Sequence, residues 1–187
     1  SDMYVQKHFK NVCGYNSEID LQVLSAIKSN NKKTRNYFPG TVREFVDGSS
    51  QVSNKIYVLL VNMQLLSGTS KILSDTYDNS VNGFYQPYEA IRATRPFVII
   101  DEPHKFSREQ KAYNKIVDEM KPQCVIRFGA TFPEISVGTG KNKITKKDYL
   151  NLLFDLNSYE AFNQNLIKGV AKEHFESPQN NDEKVRK

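Results

Sequence analysis

The sequence predicts an α/β domain with a mainly parallel sheet that is flanked by helices. Two apolar runs, residues 56–61 and 97–100, lack the alternation of a half-exposed strand and are typical of strands buried on both faces. A third strand candidate, residues 123–128, follows a segment at 107–120 whose apolar positions recur at helical spacing. A strand, a helix and a strand in this order predict a parallel β-α-β unit, and its two carboxyl ends should lie near each other.

Shorter elements are predicted around these strands. Turn residues at 14–17 separate two segments, 4–13 and 19–27, that we interpret as extended. Residues 29–36 are polar and lysine-rich, which indicates a solvated loop more than a DNA contact. The pattern then indicates a short helix at 41–46, followed by a polar break at 46–53. It further indicates a mobile surface excursion at 68–83 and a second short helix at 86–94. Ser107 is the expected N-cap of the helix at 107–120.

Length and composition are consistent with one sizeable core. The chain has 187 residues, of which 39% are hydrophobic and 25% charged, and no run approaches the roughly 18 apolar residues of a membrane span. The formal net charge of +5 permits contact with nucleic acid without requiring it. Cys13 and Cys124 have neither metal-binding nor disulfide spacing. The apolar neighbours of Cys124 predict a buried thiol, and a reducing compartment suits both residues.

Two carboxylates follow the central apolar run directly. Pro103 cannot continue a β-ladder, so Asp101 and Glu102 are expected at the carboxyl edge of the sheet, where open α/β sheets bind ligands. A carboxylate there can hold Mg²⁺ through retained waters, and a second one can accept a proton from an attacking water. His104 can donate a hydrogen bond to a phosphate oxygen. The simpler alternative is a core strand that ends in a solvated acidic turn.

Two short motifs resemble those of a known family. Residues 98–104, VIIDEPH, resemble the Walker B motif (motif II) of superfamily 2 helicases in its Asp-Glu-Pro-His form. Residues 129–131, GAT, resemble motif III, which is usually Ser-Ala-Thr. Together with EAIRATRP upstream and KDYLNLLFDLNSYEAFNQNLIKGV downstream, they make nearly the whole chain similar to the restriction (Res) subunit of type III restriction-modification enzymes.

That resemblance implies a RecA-like fold of the P-loop NTPase type and an ATP-dependent DNA translocase, with ATP and Mg²⁺ as cofactors. It implies that Asp101 holds Mg²⁺ through water and that Glu102 positions or deprotonates the attacking water. His104 would link the nucleotide to a second domain. The residues implied to transmit the nucleotide state to DNA are Gly129, Ala130 and Thr131. The Thr131 hydroxyl and the His104 imidazole should then be within reach of each other, directly or through one water.

The implied partners are double-stranded DNA, the DNA-methyltransferase (modification) subunit, and a second RecA-like domain and a nuclease domain of the same polypeptide. The implied location is the prokaryotic cytoplasm, with no membrane association. Two alternatives remain open at this point: a superfamily 2 helicase outside restriction, and a RecA-like module that binds nucleic acid or a partner without hydrolysing ATP. A stand-alone α/β protein whose acidic strand end is accidental is a third.

No phosphate-binding P-loop is present in the sequence. Residues 138–141 (GTGK) imitate one, but the first glycine position is Ile135 and the hydroxyl position is Asn142. We therefore expect a plain loop there and an incomplete first motor domain that is inactive alone. Residues 1–152 are expected to belong to that domain, 153–176 to a linker toward a second RecA-like domain, and 177–187 to a disordered tail.

Overall fold

The structure, a computed structural model, describes residues 7–8, 10–25, 37–67, 70–105 and 107–167, with only the main chain of Lys105. The chain forms two compact units, Ser1–Asp148 and Tyr149–Lys187. The predicted linker at 153–176 lies only partly within the described residues, and the predicted tail at 177–187 lies outside them. These domain assignments therefore stay predictions. No helix in the described ranges is long and apolar enough to cross a membrane.

The first unit contains two parallel strand pairs and one antiparallel hairpin. The parallel pairs are β1 (Glu18–Leu24) with β2 (Lys55–Val61), and β3 (Phe97–Asp101) with β4 (Cys124–Phe128). The hairpin joins β5 (Glu134–Val137) to β6 (Ile144–Lys147). The expected parallel pairing is confirmed, as are the three predicted strands. The pairs form separate two-stranded sheets over the described residues, and the hairpin was not predicted.

Short helices connect these strands. In the first unit they are α1 (Gly40–Ser49), α2 (Met63–Ser67), α3 (Pro87–Ala93) and α4 (Lys111–Lys115), and in the second unit α5 (Ser158–Asn163). Helix α1 buries Val42, Phe45 and Val46, which recur at the spacing of one helical face. The predicted helices at 41–46 and 86–94 are thus confirmed. Because α1 continues to Ser49, the predicted polar break begins later than residue 46.

The crossover helix is shorter than predicted. Helix α4 begins at Lys111, its N-cap is Gln110 in extended conformation, and Ser107 is not the cap. A π-helical turn, Ile116–Met120, then continues it and ends at Lys121, whose φ is 44°. Residues 107–110 instead form a turn, in which the main-chain N–H of Gln110 donates to the carbonyl oxygen of Ser107 at 3.0 Å. In that turn the main-chain N–H and the guanidinium of Arg108 both donate to the carboxylate of Asp148.

The prediction that the strands are buried on both faces is wrong. Phe97 and Ile99 are 67% and 66% exposed, whereas Ile100, on the opposite face of β3, is buried. Ile56 and Leu60 of β2 are likewise exposed, so both strands cover the core with one face only. Cys124 pairs with Phe97 at the start of β4 and is exposed on that outer face. The prediction of a buried Cys124 thiol is therefore also wrong, because no described element covers this face.

Two predictions about the connecting segments are also wrong. The segment at 68–83 is not a surface excursion where it is described, because Leu73, Tyr77 and Val81 are buried in the core. Residues 7, 8, 10 and 11 are helical, so the first predicted extended segment, 4–13, is wrong where it is described, whereas β1 confirms most of the second. The predicted loop at 29–36 lies outside the described residues.

Candidate functional site

The carboxyl ends of β3 and β4 are neighbours, as predicted. The register places Asp101 opposite Phe128. The ladder extends one residue further, since the main-chain N–H of Glu102 donates to the carbonyl oxygen of Phe128 at 2.9 Å. The two acidic residues of motif II therefore lie beside Phe128, the residue that immediately precedes motif III.

Glu102 adopts an unusual main-chain conformation. Its φ is 56°, in the left-handed region, which costs a non-glycine residue about 1–2 kcal/mol. This turn delivers the chain to Pro103, which is fully buried and begins a short 3₁₀ helix, Pro103–Lys105. The Glu102 side chain remains 69% exposed, and its Oε2 lies 3.1 Å from Nδ1 of His104. A strained turn thus holds an accessible carboxylate beside an imidazole.

Asp101 leaves its carboxylate open to solvent at the end of β3. Within the described ranges the Asp101 carboxylate forms no hydrogen bond or ion pair, so its oxygens are available to a cation. The described residues contain no group of three or more histidine, cysteine or acidic side chains arranged for a metal. Mg²⁺ needs few protein carboxylates when waters and substrate phosphates complete its shell, so the donors present fit the predicted role of Asp101. That role stays a prediction.

The motif III residues lie directly against the motif II turn. Gly129 contacts the ring of Pro103, and Ala130 and Thr131 are exposed. No direct hydrogen bond joins Thr131 to His104 in the described part of the chain, where the imidazole instead pairs with Glu102. Coupling from His104 to Thr131 through a water stays a prediction.

A buried cluster of charges beside this turn was missed at the sequence level. Asp148 is 0% exposed. One of its carboxylate oxygens, Oδ1, accepts from Nε of Arg108, and the other, Oδ2, accepts from the main-chain N–H of Arg108 at 2.9 Å and from Nη2 of Arg127 at 3.2 Å. Arg127 also donates through Nη1 to the carbonyl oxygen of Asp148. Two cations therefore compensate this buried carboxylate.

Opposing effects determine the pKa of Asp148. Burial alone would raise it, because desolvation disfavours the charged form. The hydrogen bonds from Arg108 and the positive charges of Arg127 and Arg108 outweigh that effect and hold the pKa of the Asp148 carboxyl below its usual range. Asp148 is therefore ionised at neutral pH.

The same cluster connects the segments that follow both motifs. Arg108 follows the motif II turn, whereas the Arg127 guanidinium lies over the rings of Tyr113 and Phe132, at 5.6 and 5.3 Å from their centroids. The main-chain N–H of Asp148 donates to the carbonyl oxygen of Pro133 at 2.8 Å. Asp148 thus holds the segment after motif II and the segment after motif III together. The only sequence signal was Arg127 within an apolar strand, since a buried cation requires a partner.

The segment that imitates a P-loop is a loop, as predicted. Residues 138–141 lie in the connection of the β5–β6 hairpin, which contains a 3₁₀ turn at Gly140–Asn142. A P-loop would instead connect a strand to the N-terminus of a helix.

Fold and site together define an α/β domain with acidic residues at the carboxyl edge of parallel strands, the edge at which open α/β sheets bind ligands. Residues 8–134 match the family described as type III restriction enzyme, res subunit, and the chain belongs to that family, whose shared domain is helicase-like.

Three curated relatives illustrate the match. The chain is 39% identical over 169 residues to the type III restriction-modification enzyme StyLTI Res subunit of Salmonella typhimurium. It is 35% identical over 168 residues to the EcoP15I Res subunit of Escherichia coli and to the EcoPI Res subunit of Escherichia phage P1. Each alignment covers 89% of this chain but only 16–17% of the relative. The chain thus spans about a sixth of these relatives, and the prediction of a Res subunit is confirmed.

Proposed function

We propose that this chain supplies the motif II and motif III part of the ATP-driven motor of a type III restriction enzyme. ATP hydrolysis by the complete polypeptide would drive its movement along DNA and lead to cleavage. The observation that carries the proposal is the accessible Glu102 carboxylate, which lies at the strand edge beside Asp101 and next to the motif III strand. In phosphoryl transfer most of the acceleration comes from positioning and charge stabilisation, and fixed carboxylates at a strand edge suit that task.

The two carboxylates have different roles in this proposal. Asp101 holds Mg²⁺ through water, and its lack of a protein partner among the described residues leaves its oxygens available. Glu102 positions the attacking water or accepts its proton, and His104 orients the Glu102 carboxylate through the 3.1 Å contact. Mg²⁺, when bound with ATP, neutralises charge on the phosphates. His104 would also communicate with a second motor domain.

The proposal predicts different effects of two substitutions on nucleotide binding. In the full-length Res polypeptide, Asp101→Ala should weaken Mg²⁺–ATP binding by at least about tenfold, because the hydrated metal loses the carboxylate that holds its waters. Glu102→Gln should leave the affinity within about threefold, since the amide keeps the shape of the side chain. Equilibrium titration with a fluorescent ATP analogue measures both. Equal loss of binding in the two variants would mean that the roles are wrongly assigned.

The 187-residue chain alone should not hydrolyse ATP at a meaningful rate. Its sequence contains no Gly-x-x-x-x-Gly-Lys-Ser/Thr segment, so nothing cradles the phosphates opposite Asp101. Phosphate release from the purified chain with Mg²⁺–ATP is the measurement. Turnover that requires both Mg²⁺ and Glu102 would contradict this part of the proposal.

Thr131, with Gly129 and Ala130, would transmit the nucleotide state to the DNA track. Thr131→Ala in the full-length polypeptide should therefore reduce translocation, or cleavage far from the starting site, by much more than it reduces ATP hydrolysis. Parallel losses would instead indicate that the hydroxyl satisfies only local main-chain groups.

The proposed partners are double-stranded DNA, the modification (DNA-methyltransferase) subunit, and a second RecA-like domain and a nuclease domain of the same polypeptide, in the prokaryotic cytoplasm. Family membership supports these assignments. The remaining alternative is a RecA-like module that binds nucleic acid or a partner and does not hydrolyse ATP. ATP hydrolysis by the full-length polypeptide separates the two.

A further inference from the structure

We propose that Gly129 is a positioning residue for Glu102, because the absence of a side chain at position 129 makes room for the ring of Pro103. The inference deepens the proposed function and rests on it for its catalytic consequence. The steric part depends only on the packing of the motif II turn against motif III.

The space beside Gly129 is already filled. A Cβ atom added there would lie closer than 3.0 Å to Cδ of Pro103 and 3.0 Å from its Cγ, whereas ordinary contact begins at 3.4 Å. At Cγ the ring would have to give by a few tenths of an ångström, and at Cδ by more. A proline ring cannot rotate away from such a contact, because the ring closes on its own main-chain nitrogen. Pro103 is also fully buried, so the surrounding side chains resist its movement.

Movement of Pro103 would pass directly to Glu102. The ring nitrogen is bonded to the carbonyl carbon of Glu102, whose left-handed conformation turns the chain toward Gly129. On the other side, Glu102 is held by its hydrogen bond to Phe128, the residue before Gly129. An added Cβ would therefore separate two segments that this hydrogen bond joins. If the Glu102 carboxylate shifts by on the order of 1 Å as a result, the rate should fall roughly 100-fold.

Other glycines provide useful comparisons. The three atoms nearest to an added Cβ at Gly48 all belong to the side chain of Tyr57, whose ring can turn about its own bonds. At Gly40, the first residue of α1, it would meet nothing within 4 Å. Gly40→Ala is therefore a matched control for the general effect of replacing glycine by alanine.

A double-mutant cycle in the 187-residue chain tests the steric part. Gly129→Ala should lower the folding equilibrium constant at least about 30-fold when Pro103 is present, but less than about threefold in the Pro103→Ala background, because contacting residues couple. Urea unfolding measures the folding equilibrium constant of the unsubstituted chain, the two single variants and the double variant. The control, Gly40→Ala, should leave that constant within about threefold. If Gly129→Ala alone fails to fold, a folded double variant supports the proposal. Equal losses in both backgrounds, or an unfolded double variant, would overturn it.

Kinetics of the full-length Res polypeptide test the positioning part. Gly129→Ala should lower kcat for ATP roughly 100-fold while KM stays within about threefold, since only the attacking water is misplaced. The double variant should recover at least tenfold of that loss. Unchanged kcat in Gly129→Ala, despite coupling in the urea experiment, would reduce Gly129 to a packing residue and overturn the proposal. If the unsubstituted polypeptide hydrolyses no ATP, the proposed function fails, and the urea cycle still decides the steric claim.

Discussion

Replacing Asp148 by asparagine removes the negative charge that Arg108 and Arg127 share, with little change in shape. Three N–H groups point at the carboxylate, one from the main chain of Arg108 and two from the guanidinium groups. An amide offers one acceptor oxygen, and its NH₂ group would face a donor. The two arginine side chains are 24% and 10% exposed, so water can reach them only in part.

The expected loss of stability follows from this geometry. Removing one partner of a buried ion pair costs about 3–5 kcal/mol, and the partial exposure of the arginines favours the lower end. About 3 kcal/mol corresponds to roughly 150-fold in the folding equilibrium constant. With a urea dependence of about 2 kcal/mol per molar, the unfolding midpoint of the 187-residue chain should fall by about 1.5 M.

Urea unfolding followed by circular dichroism is the assay, and the neighbouring surface pair supplies the control. Lys147 lies one residue before Asp148 and pairs with Glu134 at 3.0 Å, with both side chains more than half exposed. Lys147→Gln should not change the midpoint measurably, because exposed pairs contribute little. An Asp148→Asn midpoint equal to that of the unsubstituted chain would refute the view that this cluster holds the two motifs together.

Three further predictions concern groups in the same unit. Because the pKa of Asp148 is lowered from 3.8, the folded state binds fewer protons at this carboxylate than the unfolded state does. The stability that the ionised carboxylate contributes is therefore present above about pH 4 and is lost on further acidification. The difference in urea midpoint between Asp148→Asn and the unsubstituted chain should shrink between about pH 6 and pH 3. Burial, and then the charge of Glu119, raise the pKa of Tyr88 to about 12, so its contribution is lost as pH rises from 10 toward 12. The Tyr88 hydroxyl is buried without a hydrogen-bond partner among the described residues, so Tyr88→Phe should remove that pH dependence and stabilise the chain by about 1 kcal/mol at pH 7 in urea unfolding. Cys13 and Cys124 are both exposed, so a thiol reagent should titrate two cysteines in the native chain, and a single reactive thiol would contradict the outward position of Cys124.

The strand pair and its acidic edge could be predicted because their signals are local. An unbroken apolar run followed by two carboxylates and Pro103 fixes where the strand ends, and a helical segment between two such runs fixes their parallel pairing. The proximity of the two carboxyl ends follows from these facts, whereas the register that pairs Asp101 with Phe128 comes from the structure.

Burial could not be predicted in the same way. An apolar run indicates a strand that is suited to burial on both faces, but the pattern does not contain the covering elements. Phe97 and Ile99 are exposed because the described residues cover only the face that carries Ile100. The same limit explains why Cys124 was assigned to the core.

Long-range polar contacts could not be predicted from the sequence either. Asp148 lies 40 residues from Arg108 and 21 from Arg127, and nothing local distinguishes it from other surface aspartates. The turn at 107–110, in which the N–H of Gln110 donates to the carbonyl oxygen of Ser107 and after which α4 begins at Lys111, was not predicted either. The left-handed conformation of Glu102 was likewise not predicted, and it occurs where Pro103 packs on Gly129, a contact between two motifs that are separate in the sequence.

Single-turnover ATP hydrolysis by the full-length Res polypeptide with Glu102→Gln tests the central claim most directly. Glu109→Gln is the matched control, since Glu109 is an exposed carboxylate seven residues further along. With enzyme in excess over Mg²⁺–ATP, we expect Glu102→Gln to bind nucleotide but to lower the rate of bond cleavage by at least about 100-fold, because the amide cannot accept the proton of the attacking water. Glu109→Gln should cleave at the unsubstituted rate. Cleavage at that rate in Glu102→Gln would contradict the assignment of Glu102 as the catalytic carboxylate.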